Sequence, residues 1–204
     1  MAANGKVLTG FSDPWVALYG YTGGAVTYTS AQVLARGVNV TITPDDVNED
    51  NIFYADNGPA EMDPGVFKGG DLTLNVDGLL DAAKKFVMGL PSATTTTVGT
   101  GTVDVYHYGD NQSIPYVGFG YVARWMSDGA TTYTATVLNK VKFNQLSSEA
   151  ATQEDEIDWQ TQEMSGRILR DDGSNHEWKM ESADCTTQAE AVNTLKILLG
   201  GSLS

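Results

Sequence analysis

The chain is poor in the residues on which most site chemistry depends. Cys185 is the single cysteine among 204 residues, so no disulfide forms within the chain and no Cys-rich zinc site can be built. His107 and His176 are the only histidines, and neither has a Cys or His neighbour at ligand spacing, so both read as surface or packing residues. Lys and Arg number 12 against 26 Asp and Glu, for a net charge of −14. Affinity for phosphates depends on cations displacing counterions, so this balance excludes a protein that grips nucleic acid. No apolar run approaches the roughly 20 residues of a spanning helix. The opening MAANGKVLTG has no basic segment followed by an apolar one, so neither a membrane span nor an ordinary secretory signal is expected.

What is present points to strands. Apolar residues make up 41%, enough for a folded chain, and the length suits one domain over 1–204. The stretch Gly69 to Pro91 organises the rest. Leu72, Leu74 and Val76 alternate with Asp71, Thr73 and Asn75, the period of a half-buried strand. Asp77 then stands where it would cap a helix whose apolar residues, from Leu79 to Leu90, recur at three- and four-residue spacing until Gly89 and Pro91 stop it. A short helix with one apolar stripe needs a sheet to cover, so the expected core is sheet against helix.

Residues 14–43 read as strands, with a turn at Gly23-Gly24 and Val38, Val40 and Ile42 on one side of the last. The run Asp45 to Pro64 is acidic and long for a loop, interrupted by Ile52, Phe53 and Tyr54. Seven acids lie there and six more between Glu149 and Glu163, half of the 26, so the excess charge is local to two segments. Ser92 to Asp104, rich in Thr and Gly, reads as an exposed loop or strand edge. Tyr116 to Trp125 and Thr131 to Phe143, around Ser127-Asp128-Gly129, form a hairpin expected to hold the longest strands. A second hairpin is expected from Ser165–Leu169 and His176–Met180, turning at 171–173. Thr187 and Glu190 form a capping-box pair that opens a C-terminal helix ending at Gly200. The expected fold class is therefore mainly β, sandwich- or barrel-like, with one central and one C-terminal α-helix.

Catalytic motifs fail on inspection. Gly118-Phe119-Gly120 imitates a dinucleotide-binding fingerprint but lies inside a strand run, where its glycines read as positions of close approach. Asp46, Asn48 and Asp50 begin like an EF-hand, yet Asn51 and Asn57 replace the turn Gly and the bidentate Glu. Asp155 and Asp158 could pair as in a glycosidase, but in so acidic a run they read as solvated charge. Trp15, Trp125, Trp159 and Trp178 read as core or interface anchors rather than a sugar platform. No catalytic residue, metal or cofactor is expected.

Several short motifs, taken in order, resemble a known family. Tyr54-Ala55-Asp56-Asn57, Asn75-Val76-Asp77-Gly78-Leu79, Tyr116-Val117-Gly118-Phe119-Gly120-Tyr121, Lys140-Val141-Lys142-Phe143 and Ile157-Asp158-Trp159-Gln160-Thr161 resemble the major tail proteins of long-tailed, non-contractile phages. Gln162 and Glu154 depart from an expected Pro and Gly. The resemblance implies a tail tube subunit whose hexameric rings stack into a conduit for genome ejection, assembled in the host cytoplasm and carried in the virion. It implies contact with tape-measure, tail-terminator and distal-tail proteins, with DNA passing through unbound and no membrane involved. On that footing Asn39, Thr41, Thr43, Asp71, Thr73 and Asn75, the polar partners of two patterned strands, are expected to face the lumen. Asp45, Asp46, Glu49 and Asp50, with Ile52, Phe53 and Tyr54 as apolar anchor, are expected in a loop reaching a neighbouring subunit or ring. No further immunoglobulin-like domain is expected after the second helix. A carbohydrate-binding module and a β-sandwich glycoside hydrolase are the alternatives.

Overall fold

A computed structural model describes residues 5–45, 52–62, 66–147, 152 and 160–202. The expected class holds: the fold is mainly β, antiparallel throughout, with two helices. Eight strands form the main sheet. These are β1 (Val7–Thr22), β2 (Ala25–Val33), β3 (Gly37–Pro44), β6 (Gly70–Val76), β9 (Val117–Ser127), β10 (Ala130–Phe143), β11 (Gln162–Leu169) and β12 (Lys179–Glu181). Their order is β2-β1-β9-β10-β11-β6-β3, with β12 added along β10. Two hairpins stand outside it, β4 (Ile52–Ala55) with β5 (Gly58–Met62), and β7 (Thr94–Val98) with β8 (Gly101–Val105). The helices are α1 (Asp81–Met88) and α2 (Gln188–Leu198), neither long and apolar enough to cross a membrane.

The sheet is wrapped. Its two edge strands, β2 and β3, are consecutive in the chain and joined only by residues 34–36. The four Cα steps from Val33 to Gly37 reach about 14 Å at most, so the edges must approach each other and the sheet must curl. Strand β1 supplies bends: its register shifts between Leu8 and Gly10, between Ser12 and Trp15, and between Val16 and Leu18. Pro14 has no amide proton for a ladder, and it falls within the second of these shifts, beside Asp13 at φ 52°. Gly37 then closes against β1, since a methyl group there would lie 2.0 Å from the Phe11 ring.

Each side of the sheet has its own helix. Leu72, Leu74 and Val76 of β6, Phe119 of β9, Phe143 of β10, and Met164 and Ile168 of β11 are buried with Ala83, Val87 and Met88 of α1. Phe119 and Phe143 meet edge to face, 6.1 Å between centroids. Ala17, Val122, Ala135 and Val137 point the other way and are buried under Ala191 and Leu195 of α2 and Leu199 at its C-cap. That helix sits close because β9 offers no side chain beneath it. A methyl on Gly120 would lie 2.4 Å from Leu195 Cδ1, and one on Gly118 2.5 Å from the Tyr28 ring, which is the close approach expected of those glycines.

Some expectations need correction. Asp77 does not cap α1: its carboxylate accepts from the backbone N–H of Arg36 at 3.0 Å and from Arg36 Nε at 2.6 Å, and Leu80 stands at the N-cap without a side-chain bond. Gly89 does end the helix, in the left-handed conformation. The longest strand is β1, at 16 residues, ahead of β10 at 14 and β9 at 11. β11 and β12 do not pair with each other; both pair with β10, β11 along Lys140–Phe143 and β12 along Thr136–Leu138. Thr94 to Val105 is a hairpin rather than a loop. The C-terminal cap is as expected, with Thr187 Oγ1 accepting from the Glu190 N–H at 3.2 Å.

Candidate assembly and channel-lining surfaces

The six residues expected to face a lumen come together. β3 and β6 are antiparallel neighbours in a register that sets Asn39 opposite Asn75, Thr41 opposite Thr73, and Thr43 opposite Asp71. Directly opposed residues share a face, so the six make three polar rows. The rows continue across β11, where Glu163 faces Asn75, Ser165 faces Thr73 and Arg167 faces Asp71, and Lys142 of β10 extends the last row. These strands alternate with buried Leu72, Leu74, Met164 and Ile168 on the reverse side. The polar surface is thus the outer half of a two-sided pleat. Glu163, Ser165, Arg167 and Lys142 were missed as members, although the alternation of 163, 165 and 167 with Met164, Gly166 and Ile168 was there to find.

Two of the cations on this face, Arg167 and Lys140, are paired with carboxylates. Arg167 Nη1 donates to Asp71 Oδ1 at 2.8 Å, and Nη2 pairs with Asp45. Asp71 first, and then Asp45, hold the guanidinium more firmly protonated than usual. Lys140 Nζ donates to Asp172 at 2.6 Å and lies 5.0 and 4.9 Å from the rings of Tyr19 and Tyr116. Lys142 rests over Tyr116 at 5.3 Å. A polyanion passing here would meet hydroxyls, amides and the neutralised pairs of Arg167 and Lys140, with Lys142 resting on a ring that leaves its charge in place.

Asp45 marks the neck of the acidic segment rather than its reach. Besides Arg167, its N–H donates to the Gly69 carbonyl at 2.9 Å, so the two ends of the excursion are tied together. Asp46, Glu49 and Asp50 lie outside the described residues. Within the segment, β4 and β5 meet through Asp56 and Asn57, both in the left-handed region at φ 49° and 64°, which suits a tight two-residue hairpin turn. Phe53 and Tyr54 are 65% and 61% exposed. The second hairpin is similarly bare. Its register places Val98, Val103 and Val105 on one face with Thr94 and Thr96, and every residue of it is exposed. A two-stranded hairpin alone in water is marginal, so two of them carrying exposed aromatics and valines are suited to packing against another surface.

No group of three His, Cys, Asp or Glu among the described residues is placed to hold an ion. Asp155, Asp158 and Trp159 lie outside the described residues. Trp15, Trp125 and Trp178 are all partly buried; Trp125 Nε1 donates to Thr134 Oγ1 at 2.9 Å, and Trp178 stacks on Phe67 at 4.2 Å. They therefore serve as packing anchors. No family model matches the chain, and no curated protein sequence matches it.

Proposed function

We propose that this chain is a structural tail tube subunit of a long-tailed, non-contractile phage, closing into hexameric rings that stack into a conduit for the genome. The observation that carries the reading is the exposed polar surface of β3, β6 and β11, in which three strands present matched rows of Asn, Thr, Ser and paired charges. A channel wall for DNA needs hydrophilicity with few free cations, because each unpaired Lys or Arg holds a phosphate; here Arg167 and Lys140 are paired with carboxylates. The ordered motifs that resemble tail proteins support the same reading. So do the bare hairpins, which give the subunit apolar surface to bury, and the two sheet edges, which take one neighbour each among the described residues. Stacking of rings is head-to-tail association, the kind that yields open filaments. The chain's partners in this reading are its own copies, with tape-measure, terminator and distal-tail proteins at the ends. Its role in the virion is architectural rather than enzymatic.

The test is negative-stain electron microscopy and size exclusion of the purified chain over a range of concentrations. Rings or hollow tubes are expected. A chain that stays monomeric at every concentration and binds glycans saturably would overturn the reading in favour of a carbohydrate-binding module.

A further inference from the structure

Away from the polar rows, a cavity of about 440 Å³ opens between β2, the C-terminal end of α2 and the turn that joins β11 to β12. Its walls are largely apolar, from Val26, Met180, Ile197 and Leu198, and Asn139, Asp171 and Glu177 complete the lining. No Lys, Arg or His among the described residues lines it. Hydrogen-bond donors that might serve an anion are already spent: Tyr28 donates its hydroxyl proton to the Asn139 carbonyl at 2.9 Å, and Asn139 Nδ2 donates to Asp171 Oδ2 at 2.9 Å.

Among the described residues, the carboxylate of Asp171 lacks the cation that burial of a charge demands. Asp171 is only 6% exposed, receives N–H groups from Asn139 and Gly173, and has no cation paired with it among the described residues. The neighbouring Lys140 is committed to Asp172 instead. Beside Asp171, Asn139 is 2% exposed, and its enclosed Oδ1 has no hydrogen-bond partner among the described residues. Buried carboxylates are ordinarily paired, and an unused buried acceptor is destabilising. The C-terminal end of α2, at Leu198 to Gly200, adds the negative end of a helix dipole to the same space. Burial foremost, and then Asp171, raises the Tyr28 phenol well above its ordinary pKa, as expected beside uncompensated negative charge.

We propose that this cavity is a binding site for an aliphatic cation, an alkylammonium or alkylguanidinium group, whose head lies at Asp171 and Glu177 and whose stem lies along Val26, Met180 and Ile197. The division of the site into an acceptor end and an apolar wall matches the two parts of such a group. Divalent metal chemistry fits less well, since no third carboxylate, His or Cys joins Asp171 and Glu177 among the described residues. Two sources share this chemistry: a free small amine, and a Lys or Arg side chain from another copy of the chain. The proposal does not depend on the tube reading.

The experiment titrates the full chain with n-butylguanidinium and n-butylammonium chloride at constant ionic strength, following amide NMR signals of Thr27, Gly173 and Gly200, with n-butanol as the uncharged control. Saturable shifts at these amides are expected for both cations and not for the alcohol. Glu177→Gln, at the exposed rim, is expected to weaken binding roughly tenfold or more. Ile197→Arg, at a wall position 54% exposed, places a cation in the site from within and is expected to abolish probe binding while raising Tm. Equal affinity for butanol and the cations, or undiminished binding in both variants, overturns the proposal. Sedimentation with and without probe separates the sources. Self-association that the probe dissolves identifies a basic side chain of another copy, and self-association it leaves unchanged identifies a free cation; either supports the site.

Discussion

One side of one sheet has two fates in this molecule. Over β9 and the middle of β10 it is glycine, alanine and valine, and α2 lies on it; over β6, β11 and β3 it is Asn, Thr, Ser, Asp and Arg, and nothing among the described residues covers it. The backbone is continuous and hydrogen-bonded across both halves. What differs is the side chain at alternate positions: small and apolar where a helix must come close, polar and cross-paired where water or another molecule is the neighbour. A covered half should respond to substitution through folding, and an open half through what the protein contacts.

The largest effect is expected at Leu195, which is fully buried between α2 and the glycines of β9. Leu195→Ala should cost about 2–5 kcal/mol, read as a lowered urea midpoint at unchanged m-value. Gly120→Val approaches the same contact from the sheet side. It crowds Leu195 and the Thr136 carbonyl, and overpacking of this kind costs about 1–3 kcal/mol. The matching change in the open half, Thr73→Val, should leave monomer stability within about 0.5 kcal/mol. If Thr73→Val destabilises as much as Gly120→Val, the open half is covered by something in the folded monomer and the comparison fails. Thr187→Ala comes next at about 1 kcal/mol, because it removes the oxygen that accepts from the Glu190 N–H at the start of α2. For the hairpins, Phe53→Ser with Tyr54→Ser should leave the monomer's urea midpoint unchanged and abolish ring or tube formation in micrographs.

How much of this could be read beforehand depends on whether the cause is local. Leu72, Leu74 and Val76 declare their buried side by alternation, and Thr187 with Glu190 declares a helix start by spacing, since both are properties of a few adjacent residues. The glycines of β9 were legible for a similar reason: within a strand run they signal close approach, although not that Leu195 and Tyr28 would be the visitors. The misses share a tertiary origin. Asp77 has the chemistry of a cap, but Arg36 offers it a backbone N–H and a guanidinium together, and that pairing prevails. Pro14 suggests a strand boundary until the register shift in β1 removes the need for its proton. Both β11 and β12 lie along β10 because β10 is long enough to take two partners in series, a property of the distant strand and not of the residues between them. In the candidate surface, the lateral pairing of Asn39, Thr41 and Thr43 with Asn75, Thr73 and Asp71 is set by register, which alternation within each strand leaves open.

The smallest effect lies at the seam between the two halves. Lys140 stands where the α2-covered part of β10 gives way to the polar rows, and it holds Asp172 at 2.6 Å while Tyr19 also donates to that carboxylate at 2.8 Å. Lys140 first and Tyr19 next lower the pKa of Asp172 below the ordinary carboxylate range. A carboxylate whose folded pKa is depressed contributes stability above its unfolded pKa and loses it as pH falls through the folded value. Wild-type urea midpoints should therefore fall more steeply between neutral pH and about pH 3 than those of Asp172→Asn, with the two proteins converging at the acid end. Asp172 is largely solvated, so the difference should be small and should shrink further at high salt. Parallel curves would mean that Lys140 is held by the Tyr19 and Tyr116 rings alone, and that the boundary between the halves is aromatic rather than ionic.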